Sequence, residues 1–161
     1  MRVQLEGGPT AVETGVPVLD HLLELMAAAA GFGLVLEVEP GEANAEVAAA
    51  GTALGAALAE PLRAAGAAGH GSAFMVSEEA LAHVVLEAAE QPLVVSNVDL
   101  SEARVAGLSN DLAARFLDRL ARGARLTLHV RLVNGSDTQH VLEAIFKATG
   151  VALVRACRSG A

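Results

Sequence analysis

Two long stretches of the chain carry the same order of predicted elements, and this repetition limits the possible folds more than any other feature. Each stretch predicts a helix, a strand, a turn and a second helix, because its apolar residues recur first at helical and then at alternating spacing. The elements lie at 18–30, 34–39 and 44–65 in the first stretch, and at 110–122, 126–132 and 138–156 in the second. A repeat of this length indicates a duplicated half-domain rather than a solenoid.

The repetition predicts an α+β protein built as duplicated half-domains, each a small sheet packed on helices. We expect one domain over residues 1–161, with an internal repeat covering about 10–98 and 99–158. Further strands are predicted between 73 and 98, and a hairpin near the start of the chain, turning at Gly7-Gly8-Pro9. With 53% hydrophobic residues but only 2% aromatic ones, Ala, Leu and Val must fill the core.

Charge and cysteine content exclude several classes of protein. A formal net charge of −8 argues against a nucleic-acid partner, because a phosphate backbone is bound by clustered Arg and Lys. The single Cys157 excludes an internal disulfide and suits a reducing compartment. No apolar run reaches membrane-spanning length without a Glu, Gly or His, and no signal-peptide pattern is present. We therefore expect a soluble cytoplasmic protein without a membrane partner.

The stretch from strand 126–132 into the following helix holds the best candidates for chemistry. His129 lies on the strand, and Gln139, His140 and Glu143 have spacings that bring their head groups to one end of one helix face. This order indicates a metal site whose first histidine is missing. Lys147, the only lysine of the chain, follows Glu143 by one helical turn.

Several stretches resemble one enzyme family in their actual residues. They are Thr14 to Leu23 with its Leu-Asp-His-Leu-Leu, Gly31-Phe32, Glu79 to Leu86, Leu126 to Arg131, and His140 to Ala148 with its Glu-Ala-Ile-Phe-Lys-Ala. Together they resemble imidazoleglycerol-phosphate dehydratase over nearly the whole chain. The resemblance implies that family's ribosomal protein S5 domain 2-like fold. It also implies a hydro-lyase activity in histidine biosynthesis and homo-oligomers, either trimers or shells of twenty-four subunits.

The resemblance also assigns roles to individual residues. The family has two His-His-x-x-Glu motifs that, with two further histidines, hold two manganese ions between subunits. By resemblance, His21 and His140 would serve one ion, and His129 and Glu143 the other. Glu79 would be a catalytic residue, and Lys147 would bind the substrate phosphate.

This chain departs from the family's motifs at most of the metal ligands. Asn44, Ala45 and Ala48 stand where the first motif has its His, His and Glu, and Gln139 replaces the first His of the second motif. His83 stands where the family has a substrate-facing Arg, and Ala29 stands where it has a His. Counterparts of the first strand, with its catalytic acid, and of the C-terminal Ser-Lys tail are not found. We therefore expect no bound cofactor, although manganese belongs to the family.

Each candidate residue also has an ordinary structural interpretation. His21 at a helix start could simply bond a carboxylate or carbonyl, and His129 could be a satisfied interior polar group. His140 and Glu143 could form a plain surface pair, Glu79 could be a solvated turn residue, and Lys147 could only neighbour carboxylates.

Three hypotheses therefore stay open at this point. They are a catalytically defective member of the family with a structural or regulatory role, a binding module for a small phosphorylated or imidazole ligand, and an active dehydratase with a remade metal site.

Overall fold

The structure of the protein, a computed structural model, describes residues 2–4, 7–98, 104–105 and 108–158, with side chains described for 7–98 and 113–158. Four helices, α1 Pro17–Ala30, α2 Ala43–Ala59, α3 Asn110–Ala124 and α4 Thr138–Cys157, pack with small sheets, which confirms the predicted α+β class. The described residues form nine strands: β1 Arg2–Gln4, β2 Ala11–Glu13, β3 Gly33–Glu37, β4 His70–Ser77, β5 Ala80–Ala88, β6 Leu93–Ser96, β7 Arg104–Val105, β8 Leu108–Ser109 and β9 Leu126–Asn134.

The first sheet has the strand order β1-β3-β2, so the predicted N-terminal hairpin is wrong. Strand β1 runs antiparallel to β3 and strand β2 runs parallel to it, with β3 between them. The chain does not reverse tightly at Gly7-Gly8-Pro9, because Gly7 continues alongside Phe32 as an isolated parallel bridge. Gly33 permits this crossing, since a Cβ there would lie 2.8 Å from the backbone of Gly8.

The second sheet has the order β4-β5-β9-β6. Strands β4 and β5 form a hairpin, β9 is antiparallel to β5, and β6 is parallel to β9. Helix α4 covers one face of this sheet, where the buried residues of the strands alternate with exposed ones. The sequence predicts a loop over 66–71, whereas His70 begins β4 in the structure. The sequence predicts a loop over 101–109, part of which lies outside the described residues, whereas the structure pairs the short strands β7 and β8 there.

The C-terminal ends of α2 and α3 differ from the predictions, at a proline in the first case and a glycine in the second. Helix α2 ends at Ala59 rather than near residue 65, because Pro61 starts a separate 3-10 turn over Pro61–Arg63. Helix α3 was predicted to stop at Gly123 but continues to Ala124. Gly123 is a packing glycine, since a Cβ there would lie 2.8 Å from the carbonyl oxygen of Thr52 on α2.

The core lies among the four helices and between them and the sheets. Helix α1 packs against α4, and α2 packs against α3. Small residues bring α2 and α3 close together, which fits a composition rich in Ala and Gly. Between α3 and α4, the ring of Phe116 stacks on that of Phe146 with a centroid separation of 5.3 Å. The order α1-β3-α2 returns as α3-β9-α4, while the repeat boundaries themselves stay a prediction. No helix in the described part of the chain is long and apolar enough to cross a bilayer.

Candidate functional site

Glu143 is the centre of the first side-chain cluster, near the start of α4. Its Oε1 atom accepts a hydrogen bond of 2.7 Å from the Ser77 hydroxyl at the end of β4. Its Oε2 atom lies 3.3 Å from Nε2 of His21 on α1 and 3.5 Å from the Gln139 amide nitrogen. Burial raises the pKa of Glu143, but the hydrogen bonds from Ser77, His21 and Gln139 outweigh it, so the net shift is downward.

His21 reaches this cluster because the chain enters α1 in a fixed geometry. The backbone N–H of Thr14, which is fully buried, donates 2.8 Å to Asp20, and the Thr14 hydroxyl donates to the same carboxylate. Pro17 then stands in the first helical turn, where its missing N–H removes no hydrogen bond. The His21 imidazole itself stays half exposed beside Glu143.

A second cluster joins His140 to Glu79 on the β4–β5 turn. The carboxylate of Asp137 caps α4 by accepting a 3.1 Å bond from the His140 backbone N–H, which fixes the start of the helix. Nδ1 of His140 bonds the Glu79 carboxylate, which also accepts from the Ser136 backbone N–H at 3.4 Å. The bond to Glu79 raises the pKa of His140, and the same bond lowers the pKa of Glu79.

The two clusters leave different imidazole atoms available. Glu79 bonds Nδ1 of His140, and among the described residues Nε2 of the same ring has no hydrogen-bond partner. A carboxylate usually orients a metal-binding histidine in this way. In His21 it is Nε2 that faces Glu143. His140 and Glu143, expected as a local pair, instead each bond to other elements.

His129 lies on the opposite face of the second sheet from α4. Its side chain is exposed, so its interpretation as an interior polar group is wrong. It stands opposite Val85 on β5 and Val95 on β6. This face holds an open groove of about 640 Å³, lined by His83, Val85, Val95, Asn97, His129, Val130 and Arg131. Neither His21 nor Glu143 lines it.

Lys147 sits one turn beyond Glu143 and donates 3.3 Å to the carbonyl oxygen of Val76. Its ammonium group therefore bonds a strand carbonyl, and not one of the carboxylates expected nearby. The side chain is half-buried, next to the end of β4 that also supplies Ser77 to Glu143.

A family model for imidazoleglycerol-phosphate dehydratase matches residues 14–153 of the 161. The chain belongs to the imidazoleglycerol-phosphate dehydratase family. An imidazoleglycerol-phosphate dehydratase from Desulforudis audaxviator is 35% identical over 100% of this chain and 85% of its own length. Another, from an Exiguobacterium species, is 32% identical over 99% of this chain and 84% of its own.

Solved structures of imidazoleglycerol-phosphate dehydratase share the fold. The enzyme from Staphylococcus aureus superposes with a TM-score of 0.89 at 30% identity, covering 98% of this chain and 91% of its own. The enzyme from Pyrococcus furiosus, in complex with (S)-C348, gives 0.88 at 27% identity, covering 99% of this chain and 88% of its own. These findings confirm the predicted family and fold.

The imidazoleglycerol-phosphate dehydratase family depends on manganese, so the donor groups of this chain can be compared with what that ion needs. Within the residues that the structure describes, no three His, Cys, Asp or Glu side chains form a group able to hold a metal. His21 and Glu143 converge as two donors, whereas His140 is joined only to Glu79 and Asp137. Asn44 and Ala45 are exposed at the start of α2. The described residues of one chain therefore do not form a manganese site by themselves.

Within one chain, the predicted metal ligands pair differently from the pairs that the resemblance implied. The resemblance paired His21 with His140, and His129 with Glu143, whereas within the subunit His21 meets Glu143 and His140 meets Glu79. The resemblance implies ligands from neighbouring subunits, so the metal roles of these residues stay predictions.

Two residues of these clusters were not among the predicted site residues. Ser77 binds Glu143 but carries no local signal, because the two are 66 positions apart. Asp137 could have been recognised from its place before a helical pattern, where Asp is a favoured N-cap.

Proposed function

We propose that this chain is a catalytically defective member of the imidazoleglycerol-phosphate dehydratase family, related to histidine biosynthesis in origin. The observation that carries the proposal is the side-chain chemistry at four positions. Asn44, Ala45, Ala48 and Gln139 stand where, by resemblance, the family has imidazoles and a carboxylate. Ala offers no ligand, and an amide oxygen is a weak one for a divalent ion that imidazole or carboxylate would hold.

The contacts of the remaining donors support the same proposal. Ser77, His21 and Gln139 surround the carboxylate of Glu143, so both of its oxygens already have hydrogen-bond partners. A catalytic metal site instead needs several protein ligands together with an open position for substrate. The hydrogen bonds of Glu143 therefore account for its carboxylate without a metal ion.

One observation favours an active dehydratase with a remade metal site as the second candidate. Glu79 holds the ring of His140 by Nδ1, and among the described residues Nε2 has no hydrogen-bond partner. A neighbouring subunit that supplied two further donors could complete a site there. A binding module for a small phosphorylated or imidazole ligand, using Lys147, His129 and His140, is the third candidate. It would need more than one subunit, because within one chain His129 lies on the opposite face of the sheet from α4, which carries Lys147 and His140. The groove beside His129 is of ligand size.

We further propose that the protein is cytoplasmic and assembles with itself into at least a trimer without metal. Ala at former ligand positions leaves no buried charge behind, so apolar packing can hold the subunits together. The acidic balance of the chain disfavours nucleic acid as a partner.

Metal analysis of the purified full chain, after manganese loading and desalting, tests the proposal together with a turnover assay on imidazoleglycerol phosphate. We expect less than one manganese per subunit and no chelator-sensitive turnover. Stoichiometric manganese with turnover that a chelator abolishes would make the active-enzyme candidate correct.

A gain-of-ligand variant sharpens this experiment. This variant combines Asn44→His, Ala45→His, Ala48→Glu and Gln139→His. Losing a residue that only supports a metal ligand lowers metal affinity roughly 10–100-fold, and losing a ligand itself should cost at least as much. Restoring the four ligands should therefore raise manganese retention by about 10-fold or more. The control matches the three changes on α2 and places the same residue types on its exposed side, as Ala49→His, Thr52→His and Ala56→Glu; it is compared with Asn44→His, Ala45→His and Ala48→Glu. The control should leave retention unchanged; equal gains in both variants would show non-specific binding.

A further inference from the structure

Strand β4 is an edge of the four-stranded sheet, and half of its backbone groups point away from that sheet. Among the described residues, β5 is its only strand neighbour. Ser77 stands opposite Ala80 as the closing pair of a two-residue hairpin loop, and such a pair is hydrogen-bonded. Because bonded and non-bonded pairs alternate, Ser72, Phe74 and Val76 direct their N–H and C=O groups away from β5. This β4 edge is a template to which another strand can pair.

Helix α4 binds two of these outward carbonyl groups through cationic side chains. The Lys147 ammonium donates 3.3 Å to the carbonyl oxygen of Val76, and the Arg155 guanidinium donates 2.7 Å to that of Ser72. A hydrogen bond with a charged donor is stronger than one between neutral groups. The two cationic groups therefore occupy the side of β4 from which another strand would approach.

The contacts between α4 and the β4 edge follow one ridge of the helix. Glu143, Lys147 and Arg155 lie on the same row of four-residue steps, and their partners on β4 come in the reverse order along the strand. From 143 to 155 the helix rises about 18 Å, and from 72 to 77 the strand extends about 17 Å. Because these lengths match, one ridge of α4 can cover the edge from end to end.

Gly71 allows α4 to lie this close to β4. A Cβ at Gly71 would lie 2.2 Å from the carbonyl oxygen of Ala152, which stands on α4 between Lys147 and Arg155. Any larger residue at this position would push the helix away from the strand. The glycine therefore keeps both cationic side chains within reach of the outward carbonyl groups.

We infer that Lys147 and Arg155 close the β4 edge against strand addition by the same edge of a second copy of this chain. Charged side chains, Lys above all, are a usual protection of edge strands in natural proteins. This role of Lys147 needs neither a phosphate nor a metal, so the inference goes beyond the proposed function.

A second β4 edge is the occupant that these side chains exclude, because the edge is complementary to itself. In an antiparallel two-fold pairing centred on Phe74, Ser72 of one copy would stand opposite Val76 of the other. The carbonyl groups needed for that ladder are the two that Arg155 and Lys147 already bind. The pairing would also bring Arg155 of each copy toward Lys147 of the other, so occupied acceptors and like charges both oppose it.

Removing both donors from the full chain, as Lys147→Met with Arg155→Met, tests this inference. Met keeps most of the side-chain volume but cannot bind the carbonyl groups. We expect species larger than the wild-type oligomer in sedimentation analysis, together with thioflavin T fluorescence that the wild type lacks at the same concentration. The matched control is Arg115→Met with Arg122→Met, which removes the same charge from exposed positions of α3 and should behave like the wild type. Circular dichroism establishes that each variant is folded.

A proline on the β4 edge tests whether that edge is the surface that pairs. Ser72→Pro, added to the double Met variant, removes an outward N–H and no bond to β5, so it should restore the wild-type size and abolish the fluorescence. The conservative exchange Lys147→Arg with Arg155→Lys keeps both donors and should also behave like the wild type. If the double Met variant does not fold, Arg155→Met alone decides, because Arg155 is exposed, and it should give the same larger species in smaller amount.

A folded Met variant with unchanged size and fluorescence overturns the inference. Equal growth of the α3 control would assign the effect to net charge, and growth that Ser72→Pro does not stop would assign it to another surface; either result overturns the inference. These readouts do not depend on manganese or turnover, so they are separate from the test of the proposed function.

Discussion

The Nε2 atom of His21 lies 3.3 Å from the Oε2 atom of Glu143, although 122 positions separate the two residues. The contact joins the first and last helices of the chain at the place where Ser77 also reaches the same carboxylate. It shows that residues assigned by resemblance to different metals lie next to each other within one subunit.

Replacing Glu143 with Gln should destabilise the fold at neutral pH by about 1 kcal/mol, because hydrogen bonds to a charged, mostly buried group are lost. Urea denaturation measures the change. Since the pKa of Glu143 is lowered from 4.5, its contribution is present above about pH 4.5 and is lost as pH falls through the lower folded value. The difference between wild type and variant should shrink there. Glu24→Gln, on the exposed side of α1, is the control and should show neither effect.

Replacing Glu79 with Gln should lower the pKa of His140, which the bond to that carboxylate raises above 6.5. Titration of the imidazole signals by nuclear magnetic resonance measures this shift. Glu78→Gln, at the neighbouring position, should change the pKa of His140 less, because Glu78 makes no hydrogen bond to the ring and acts only through its charge. Equal shifts in the two variants would contradict the pairing.

The same pair sets a pH window for stability. The raised pKa of His140 makes its contribution complete below about 6.5 and lost as pH rises through the folded value. The lowered pKa of Glu79 makes its contribution complete above about 4.5 and lost as pH falls through its folded value. The destabilisation by Glu79→Gln should therefore be largest between these pH values, and denaturation at several pH values checks this.

Arg63 binds four backbone carbonyl groups, and its replacement by Lys should cost about 1 kcal/mol. Its guanidinium donates to Ala124 at 2.8 Å, to Ala59 at 3.1 Å, to Ala89 at 3.2 Å, and to Arg125. An ammonium group is a single point and cannot reach carbonyls on these several segments. Thermal unfolding gives the comparison. Arg122→Lys, which alters only the exposed pair with Asp118, should change stability by less than about 0.5 kcal/mol.

Replacing Gly55 with Ala should destabilise the protein by about 1–2 kcal/mol, although Ala favours helix. A Cβ at Gly55 would lie 2.5 Å from the carbonyl oxygen of Leu120, so α2 and α3 would have to move apart. Gly41→Ala is the control, since nothing lies within 4 Å of its Cβ position. Urea denaturation measures the free energy of unfolding. An unchanged value for Gly55→Ala would contradict the prediction and show that α2 and α3 can move apart at little cost.

The sequence was sufficient to locate α1, α4 and β9 because their signals are local. Apolar spacing located α1 and α4 to within a residue or two, and the strand predicted over 126–132 lies within β9. It failed where a residue's role depends on a distant partner. Glycine often ends a helix, but Gly123 instead allows the backbone of α2 to pack closely against α3. Strands β1 and β2 were paired with each other because β3, their shared partner, comes later in the chain.

For the candidate site, the sequence supplied the residue types but not their partners. Spacing within α4 brought out His140 and Glu143, and Asp137 was available as a cap signal. The bonds from Ser77 and His21 to Glu143 depend on how β4 and α1 meet α4, which no local pattern encodes. The exposure of His129 likewise follows from which face of the sheet α4 covers.

Every helix finds its principal helical neighbour in the other half of the chain, α1 on α4 and α2 on α3. Neither half can therefore shield its own helices from water. A chain severed between residues 98 and 110 should give two fragments that precipitate when made alone and stay dissolved when produced together. If the halves descend from one ancestral gene, that ancestor must have folded as an obligate pair.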